Sequence, residues 1–513
     1  MKQKIIMAAV LTSIMASCLS GCEKSTADKE TGAPVTQSSS EEMKADGNDE
    51  PYKAVLVYLV AADSQDQEMI NERFNELTKE QLNMEVTLMP MTFSTWASQL
   101  PLMLAGGEQV DLFPMFNESA ATYVASDYLV DLSPYLETYL PYVVENIGME
   151  DIMCCSIGEF IYGIPTMKER CMTNSMVFRT DCLDAAGIDP STIKNYDDIT
   201  DVYEKVQKIY PDMTMFGGTC SNTSAATPAG QSGAFDGLGH IIGVGVLENY
   251  GQTTTVSNFY ESAQFLELTE IAREWYLKGF IDKDMATTTD SGEVQMRAGN
   301  LFSFMVSGKP NTKQEKDDQT GYDTTVIPME KTVVTTGSVA AVNYAVGSSS
   351  PDPAKALELY NWICETKEAN DLLNWGIEGI HWEEQEDGTA YYPEGVDVNN
   401  CGYHQNMGYI QPNQFNSHIW SGNPTDVFEQ YQASRDQAYV SLAFGFNPDL
   451  TGVADQIAAV NEVVSRYIGQ ITTGSVDPEP AIKEFNEALY DAGLQDIIDE
   501  KQIQLDAWLE NQN

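Results

Sequence analysis

The sequence predicts an α/β protein built as two domains, and three observations carry that reading. Residues 53–60, Lys-Ala-Val-Leu-Val-Tyr-Leu-Val, form an apolar run rich in β-branched residues and too short for a helix. Residues 68–81 then place Met69, Ile70, Phe74 and Leu77 near one helical face, and 83–89 alternates as a strand does. The three segments make a β-α-β unit, hence a parallel sheet with helices on its faces. The third observation is length: about 460 residues follow position 50, more than one hydrophobic core supports.

Taken in order, the chain opens on a signal. Lys2 and Lys4 make a charged start, and 5–19 is mostly apolar. That run suits a signal core better than a membrane span, which needs about 20 residues. Leu19-Ser20-Gly21-Cys22 resembles the lipobox of bacterial lipoproteins, in which the cysteine is lipidated and becomes the mature N-terminus. The resemblance implies that residues 1–22 are a signal peptide and that a lipid on Cys22 holds the rest on the outer face of the cytoplasmic membrane. Residues 23–50 are Ser, Thr, Lys, Glu, Asp and Gly with almost no large apolar side chain, which predicts a disordered tether. Such a linker spans about 30 Å root-mean-square.

After the first strand, Asp63 or Ser64 can cap the helix at 68–81. Residues 95–105 carry Trp96, Leu100, Leu102, Met103 and Leu104 and stop at Gly106-Gly107. Residues 111–116 read as a short strand running into the loop Asn117-Glu118-Ser119. Further on, amphipathic stretches such as 259–278 and 353–366 alternate with short apolar runs, and 324–328 reads as a segment crossing between domains.

Composition excludes several functions. With 77 acidic against 28 basic residues the net charge is −49, so nucleic acid is not an expected partner and a polyanionic ligand is disfavoured. The acidity itself reads as solubility for an exported protein. Beyond Cys18 and Cys22 seven cysteines remain, an odd number that cannot all pair within one chain. There is no C-x-x-C pair, the four histidines lack H-E-x-x-H spacing, and no D-x-[DN]-x-[DN]-G loop closes on a Glu, so neither zinc nor calcium is expected. The glycine-rich stretch 230–245 has neither G-x-G-x-x-G before a helix nor a Walker lysine, which argues against a nucleotide. No cofactor is expected.

A family resemblance then runs along nearly the whole chain. Leu102-Met-Leu-Ala-Gly-Gly-Glu-Gln-Val-Asp111 is similar to the helix–glycine–acid–strand passage of family 1 extracellular solute-binding proteins, and Leu129-Val-Asp-Leu-Ser-Pro-Tyr-Leu136 to their next segment. Tyr162-Gly-Ile-Pro165 resembles their first crossing between lobes, Arg179 to Ile188 their next strand and helix, and Asn195-Tyr-Asp-Asp-Ile199 the following helix start. Gly279-Phe-Ile-Asp-Lys-Asp-Met285 and Arg297-Ala-Gly-Asn-Leu-Phe302 match as well. Trp375-Gly-Ile-Glu-Gly-Ile-His-Trp-Glu383 is similar to a motif of the LplA-type lipoprotein subfamily, and 444–508 to a C-terminal domain of unknown function found there. Single pieces are weak; their order is specific. Cys154-Cys155, just before the crossing, departs from the pattern.

The resemblance implies a two-lobed, type II periplasmic-binding-protein-like fold, with a ligand cleft between lobes joined by hinge strands. The N-terminal lobe is expected at 51–167 plus 308–370 and the C-terminal lobe at 168–307 plus 371–513. It further implies a monomeric binding component of an ABC importer that passes an oligosaccharide to membrane permease subunits by hinge closure. Two alternatives remain open: a secreted glycoside-active enzyme, whose two carboxylates about 5–10 Å apart an acid-rich chain supplies by chance, and a surface sensor on the same fold.

A sugar presents an apolar C–H face and a rim of hydroxyls, so aromatic rings beside Asp, Glu, Asn and Gln on loops after strand ends are its expected partners. By that rule the first-lobe candidates are Asp63, Trp96, Phe116, Asn117 and Tyr162, and the others are Phe235, Asp236, Trp375, Glu378 and Trp420. Trp275 and Trp362, inside regular helices, are expected in the core, and Lys309 is expected to be a solvated loop charge. No catalytic residue is expected.

Overall fold

The computed structural model describes residues 50–512 except 117–119, 221–226, 231, 240–242 and 289. The expectations for the signal, Cys22 and Asn117 therefore fall outside the described residues.

The first unit forms as its periodicity requires. β1 (Tyr52–Leu59), α1 (Gln67–Leu82) and β2 (Met84–Met91) make a β-α-β hand, with β1 and β2 parallel from Tyr52 opposite Met84 to Leu59 opposite Met91. α1 buries Ile70, Phe74 and Leu77 and ends at Asn83, which is left-handed at φ 53°. Its N-cap falls at Asp66, later than Asp63 or Ser64, and without a side-chain capping bond. Asp66 is occupied elsewhere: its N–H donates to Gly402 O, and its carboxylate lies 3.1 Å from His381 Nε2. α2 (Phe93–Gly106) starts at Thr92, whose hydroxyl accepts from Thr95 N, and stops at left-handed Gly107. β3 (Phe113–Phe116) follows, tied to β1 by a parallel bridge from Leu56 to Leu112.

α3 (Pro141–Met153) leads to β4 (Ile164–Pro165), from which the chain passes to a second sheet. That sheet starts with β5 (Thr173–Arg179), continues through α4 (Tyr196–Ile209), closed by an Asn195–Asp198 capping box, and adds β6 (Thr214–Gly217). A hairpin of β7 (Val244–Leu247) and β8 (Val256–Asn258) precedes α5 (Ala263–Leu277), β9 (Leu301–Gly308) and β10 (Thr324–Pro328). The spatial order is β10-β5-β9-β6, with β5 antiparallel to both neighbours and β9 parallel to β6. The chain then returns, and β11 (Val342–Ala345) inserts between β3 and β4 in the first sheet.

Two expected placements differ. Residues 324–328 are an edge strand of the second sheet rather than a crossing segment, paired to β5 from Thr324 opposite Arg179 to Pro328 opposite Ser175. Pro328, which has no N–H to donate, is tolerated at the end of an edge strand. The stretch after 370, expected in the second lobe, packs first on the other core. α6 (Pro353–Glu365) and α7 (Lys367–Asn374) are separated by Thr366 alone, so α7 cannot leave the core that α6 occupies. Leu372, Leu373 and Tyr403 sit with Leu56, Phe74, Tyr344 and Tyr360.

The chain goes on through α8 (Val427–Asp436) and ends in α9 (Ala454–Thr472), α10 (Pro478–Asp491) and α11 (Leu494–Asn511). Val464, Ile468 and Phe485 join Phe178, Tyr203, Phe216 and Trp275 in the second core. Trp275 and Trp362 are core residues whose indole N–H groups donate to Thr200 Oγ1 and Gln81 Oε1. Cys154, Cys155, Cys171, Cys182, Cys364 and Cys401 are free thiols, and burial pushes Cys154 up to about 12. No helix among the described residues is long and apolar enough to cross a membrane.

The candidate ligand cleft

Segments 166–172, 329–341 and the stretch through α8 run between the two sheets, and the last two touch where Val333–Val334 pairs in parallel with Tyr439–Val440. A cavity of about 600 Å³ opens there, within the range of small-molecule sites. Phe116 at the end of β3 and Asp236 from the glycine-rich stretch face it, with Lys168 and Glu169 from the first crossing, Lys309 just past β9, and Thr335 from the second crossing. The wall is thus assembled from loops after strand ends of both sheets, where open α/β folds place their ligands.

Its electrostatics are uneven. Lys168 Nζ donates to Glu169 O at 3.0 Å and lies 3.9 Å from the Glu169 carboxylate, while burial pushes its ammonium down. Lys309 Nζ pairs with Glu315 at 2.9 Å; burial opposes its charge, but Glu169, Tyr431 and Glu315 outweigh that and hold it up. The two buried carboxylates differ in how well they are met. Glu169 is 7% exposed in its side chain, and its Oε2 has no hydrogen-bond partner among the described residues. Asp236 accepts from Leu238 N through Oδ1 at 2.9 Å; burial pushes its carboxyl up, opposed by the Ser441 hydroxyl, Leu238 N and Lys501. Leaving an atom such as Glu169 Oε2 desolvated is costly, so a donor brought by a ligand is favoured there.

Of the ten candidates, Phe116 and Asp236 line this cavity. Trp96 stands behind Phe116, edge-on at 5.1 Å, with its indole N–H donated to Pro114 O. Tyr162 is fully buried in the first-lobe core and donates to Cys154 O, off the cavity wall. Phe235 points into the second core against Phe259, 4.7 Å away.

Trp375 and Trp420 meet in a second group. Their rings lie 4.9 Å apart, with His404 4.4 Å and Tyr392 4.9 Å from Trp420. Next to His404, Gln405 accepts from Ala61 N and donates to Ser64 Oγ, both at 2.8 Å, which ties this aromatic group to the exposed loop carrying Asp63. That loop leaves β1 at the same sheet edge from which Phe116 leaves the parallel β3. Glu378 is exposed and bridges only to Trp382 through the backbone.

Lys168, Glu169 and Lys309 were not among the candidates. The charged triplet Lys168-Glu169-Arg170, directly after the crossing motif, was the available signal. Lys309, expected in solvent, is mostly buried because Glu315 and the Tyr431 ring enclose it.

His404 makes a checkable prediction. Its Nδ1 is buried without a partner among the described residues, and burial pushes the ring down to about 4. The unfolded chain protonates first as pH falls, so the stability present above pH ~6.5 is lost towards pH 4, by at most about 3 kcal/mol. His404→Phe should flatten that part of the curve, seen as a smaller drop in denaturation midpoint between pH 7 and 5. Parallel wild-type and variant curves would contradict it.

Two α/β lobes with a cleft among their crossings define a ligand-binding protein of the hinged, two-lobed class. The chain belongs to the bacterial extracellular solute-binding protein family, whose model matches residues 59–369, and a domain of unknown function, DUF3502, matches 442–510. It is 22% identical over 474 residues to a carbohydrate ABC transporter substrate-binding protein of Streptococcus pneumoniae serotype 4, covering 91% of this chain and 93% of that one. Its fold is similar to the N-glycan transport solute-binding protein NgtS of Streptococcus pneumoniae, with TM-score 0.78, 20% identity, and coverage of 90% of this chain and 100% of that one. It is also similar to an HMO-binding ABC-transporter-associated solute-binding protein of Bifidobacterium longum infantis, with TM-score 0.63, 15% identity, and coverage of 90% and 99%.

Proposed function

We propose that this chain is the membrane-anchored, extracellular binding component of an ABC importer, and that it captures an oligosaccharide by closing its lobes and delivers it to permease subunits. The observation that carries this is the cavity at the crossings, lined by the buried carboxylates of Glu169 and Asp236, with Glu169 Oε2 short of donors. Sugar hydroxyls supply those donors, and the aromatic group around Trp420 at the same sheet edge offers faces for sugar C–H groups. NgtS, described in complex with Man1GlcNAc and Man5GlcNAc, makes mannose–N-acetylglucosamine oligosaccharides the first choice.

Sheet and core membership support lobes of 51–165 plus 342–412 and 173–328 plus 454–512, joined through the intervening segments. No catalytic step is assigned. The test is a thermal-shift screen of the purified chain against Man1GlcNAc, Man5GlcNAc, fructo-oligosaccharides, milk oligosaccharides and peptides. A ligand at 100 times its Kd adds about 2.7 kcal/mol of stability. A sugar hit recovered unchanged supports the reading; a sugar consumed during incubation makes the protein an enzyme; a peptide-only hit overturns the cargo. For the anchor, Cys22→Ala should move the protein from the membrane fraction to the medium, and unchanged fractionation would remove it.

A further inference from the structure

The C-terminal helix reaches the cleft wall from behind. Lys501, on α11, is fully buried, an expensive place for an ammonium group, and burial pushes it down to about 7 while Asp236 opposes that fall. Its Nζ donates to Gly237 O at 3.1 Å and to Gly245 O at 2.8 Å. The two carbonyls belong to opposite limbs of one structure, because Asp236 and Leu247 exchange backbone hydrogen bonds at 2.8 Å each way. Gly245 has φ 62°, and a Cβ there would stand 2.9 Å from Lys501 Cδ, so this glycine is the notch that admits the lysine stem. Between the limbs Leu238 is held at φ 49°, a conformation that a leucine keeps only where its surroundings over-determine it. Leu247, Phe446 and Leu505 close around it.

A leucine at 501 would satisfy the packing of α11 without desolvating a charge. What the amine adds is a grip on two carbonyls, one of them belonging to Gly237, which lines the cavity beside Asp236. We propose that Lys501 is a positioning residue for the cleft: it clamps the 236–239 turn to β7 and so fixes the stretch of cavity wall that Gly237 and Gly239 form beside Asp236. This gives the 442–510 segment a task, that of setting one wall of the binding site without touching the ligand. The proposal rests on the reading that this cavity takes the ligand.

The test compares Lys501→Met, which keeps the length of the stem, with Leu494→Ala, which weakens the packing of α11 in the second core, away from Leu238, and leaves the amine. Amide hydrogen exchange is read by mass spectrometry on the full chain without ligand. Lys501→Met should speed exchange at 236–239 and 244–247 by about tenfold or more, with a thermal midpoint equal to or above the wild type. Leu494→Ala should lower the midpoint without that local change. Titrated with each panel oligosaccharide that shifts the wild type, Lys501→Met should bind several-fold more weakly and Leu494→Ala should not. Unchanged exchange at the turn, or faster exchange spread evenly over 442–512, overturns the clamp. If no panel sugar binds any variant, the cargo fails while the exchange result still decides the clamp.

Discussion

Replacing Asp151 by alanine should lower the unfolding free energy by about 3–5 kcal/mol. Asp151 is 1% exposed at the end of α3 and accepts from both Nη atoms of Arg435, at 2.8 and 2.7 Å. It also lies 3.3 Å from Arg170 Nε. Arg170 belongs to the first crossing and Arg435 to α8, so one carboxylate pins two of the segments that join the sheets. Without it, Arg170 stays buried with Thr166 O as its one acceptor among the described residues, and an uncompensated buried cation is the expensive case. Urea unfolding of Asp151→Ala against wild type measures the loss. A triple change, Asp151→Leu with Arg170→Met and Arg435→Met, should recover most of it, because removing all the charges also removes their desolvation. A loss under 1 kcal/mol in the single variant would show that water reaches Arg170 and that the network does not hold the crossings.

Glu169→Ala should weaken oligosaccharide binding by about 1.5–3 kcal/mol, roughly ten- to a hundredfold, the scale of a hydrogen bond to a charged group. Its Oε2 is desolvated without a donor, but the carboxylate also lies 3.9 Å from buried Lys168, so the alanine costs stability as well, and binding is read far below the melting temperature of each variant. Calorimetric titration of wild type, Glu169→Ala and Glu169→Gln with a sugar found in the screen measures it. The glutamine, which keeps one acceptor oxygen, should fall in between. Equal affinities, or a loss of affinity only in step with lost stability, would return Glu169 to a purely structural part.

Local features of the fold were legible because their causes are local. The β1-α1-β2 unit follows from hydrophobic period and the end of α2 from Gly106-Gly107, while the start of α4, read from the resemblance of 195–199, is fixed by a capping box of Asn195 and Asp198. The family order of short motifs added the second lobe. At the site, Phe116 was found because it ends a strand and Asp236 because it lies in the glycine-rich stretch, whereas Tyr162 on the crossing and Phe235 beside Asp236 turned inward. Such a position fixes where a residue is, not which of two directions its side chain takes.

By itself, then, the sequence determined the α/β class, the order of elements, the family and the kind of residue a sugar site needs. Tertiary structure alone decided which core each element joins: α7 faces the first core and β10 the second sheet, because an amphipathic face is specified by period while its partner is specified by distant packing. It alone decided the fate of the charges as well. Lys168, Glu169, Lys309 and Lys501 look like surface residues in a string of letters, and they are buried because their partners arrive from remote parts of the chain: Glu315 and Tyr431 for Lys309, and the carbonyls of Gly237 and Gly245 for Lys501. Burial of a charge is a property of the assembled environment that compensates it, and no local pattern carries that information.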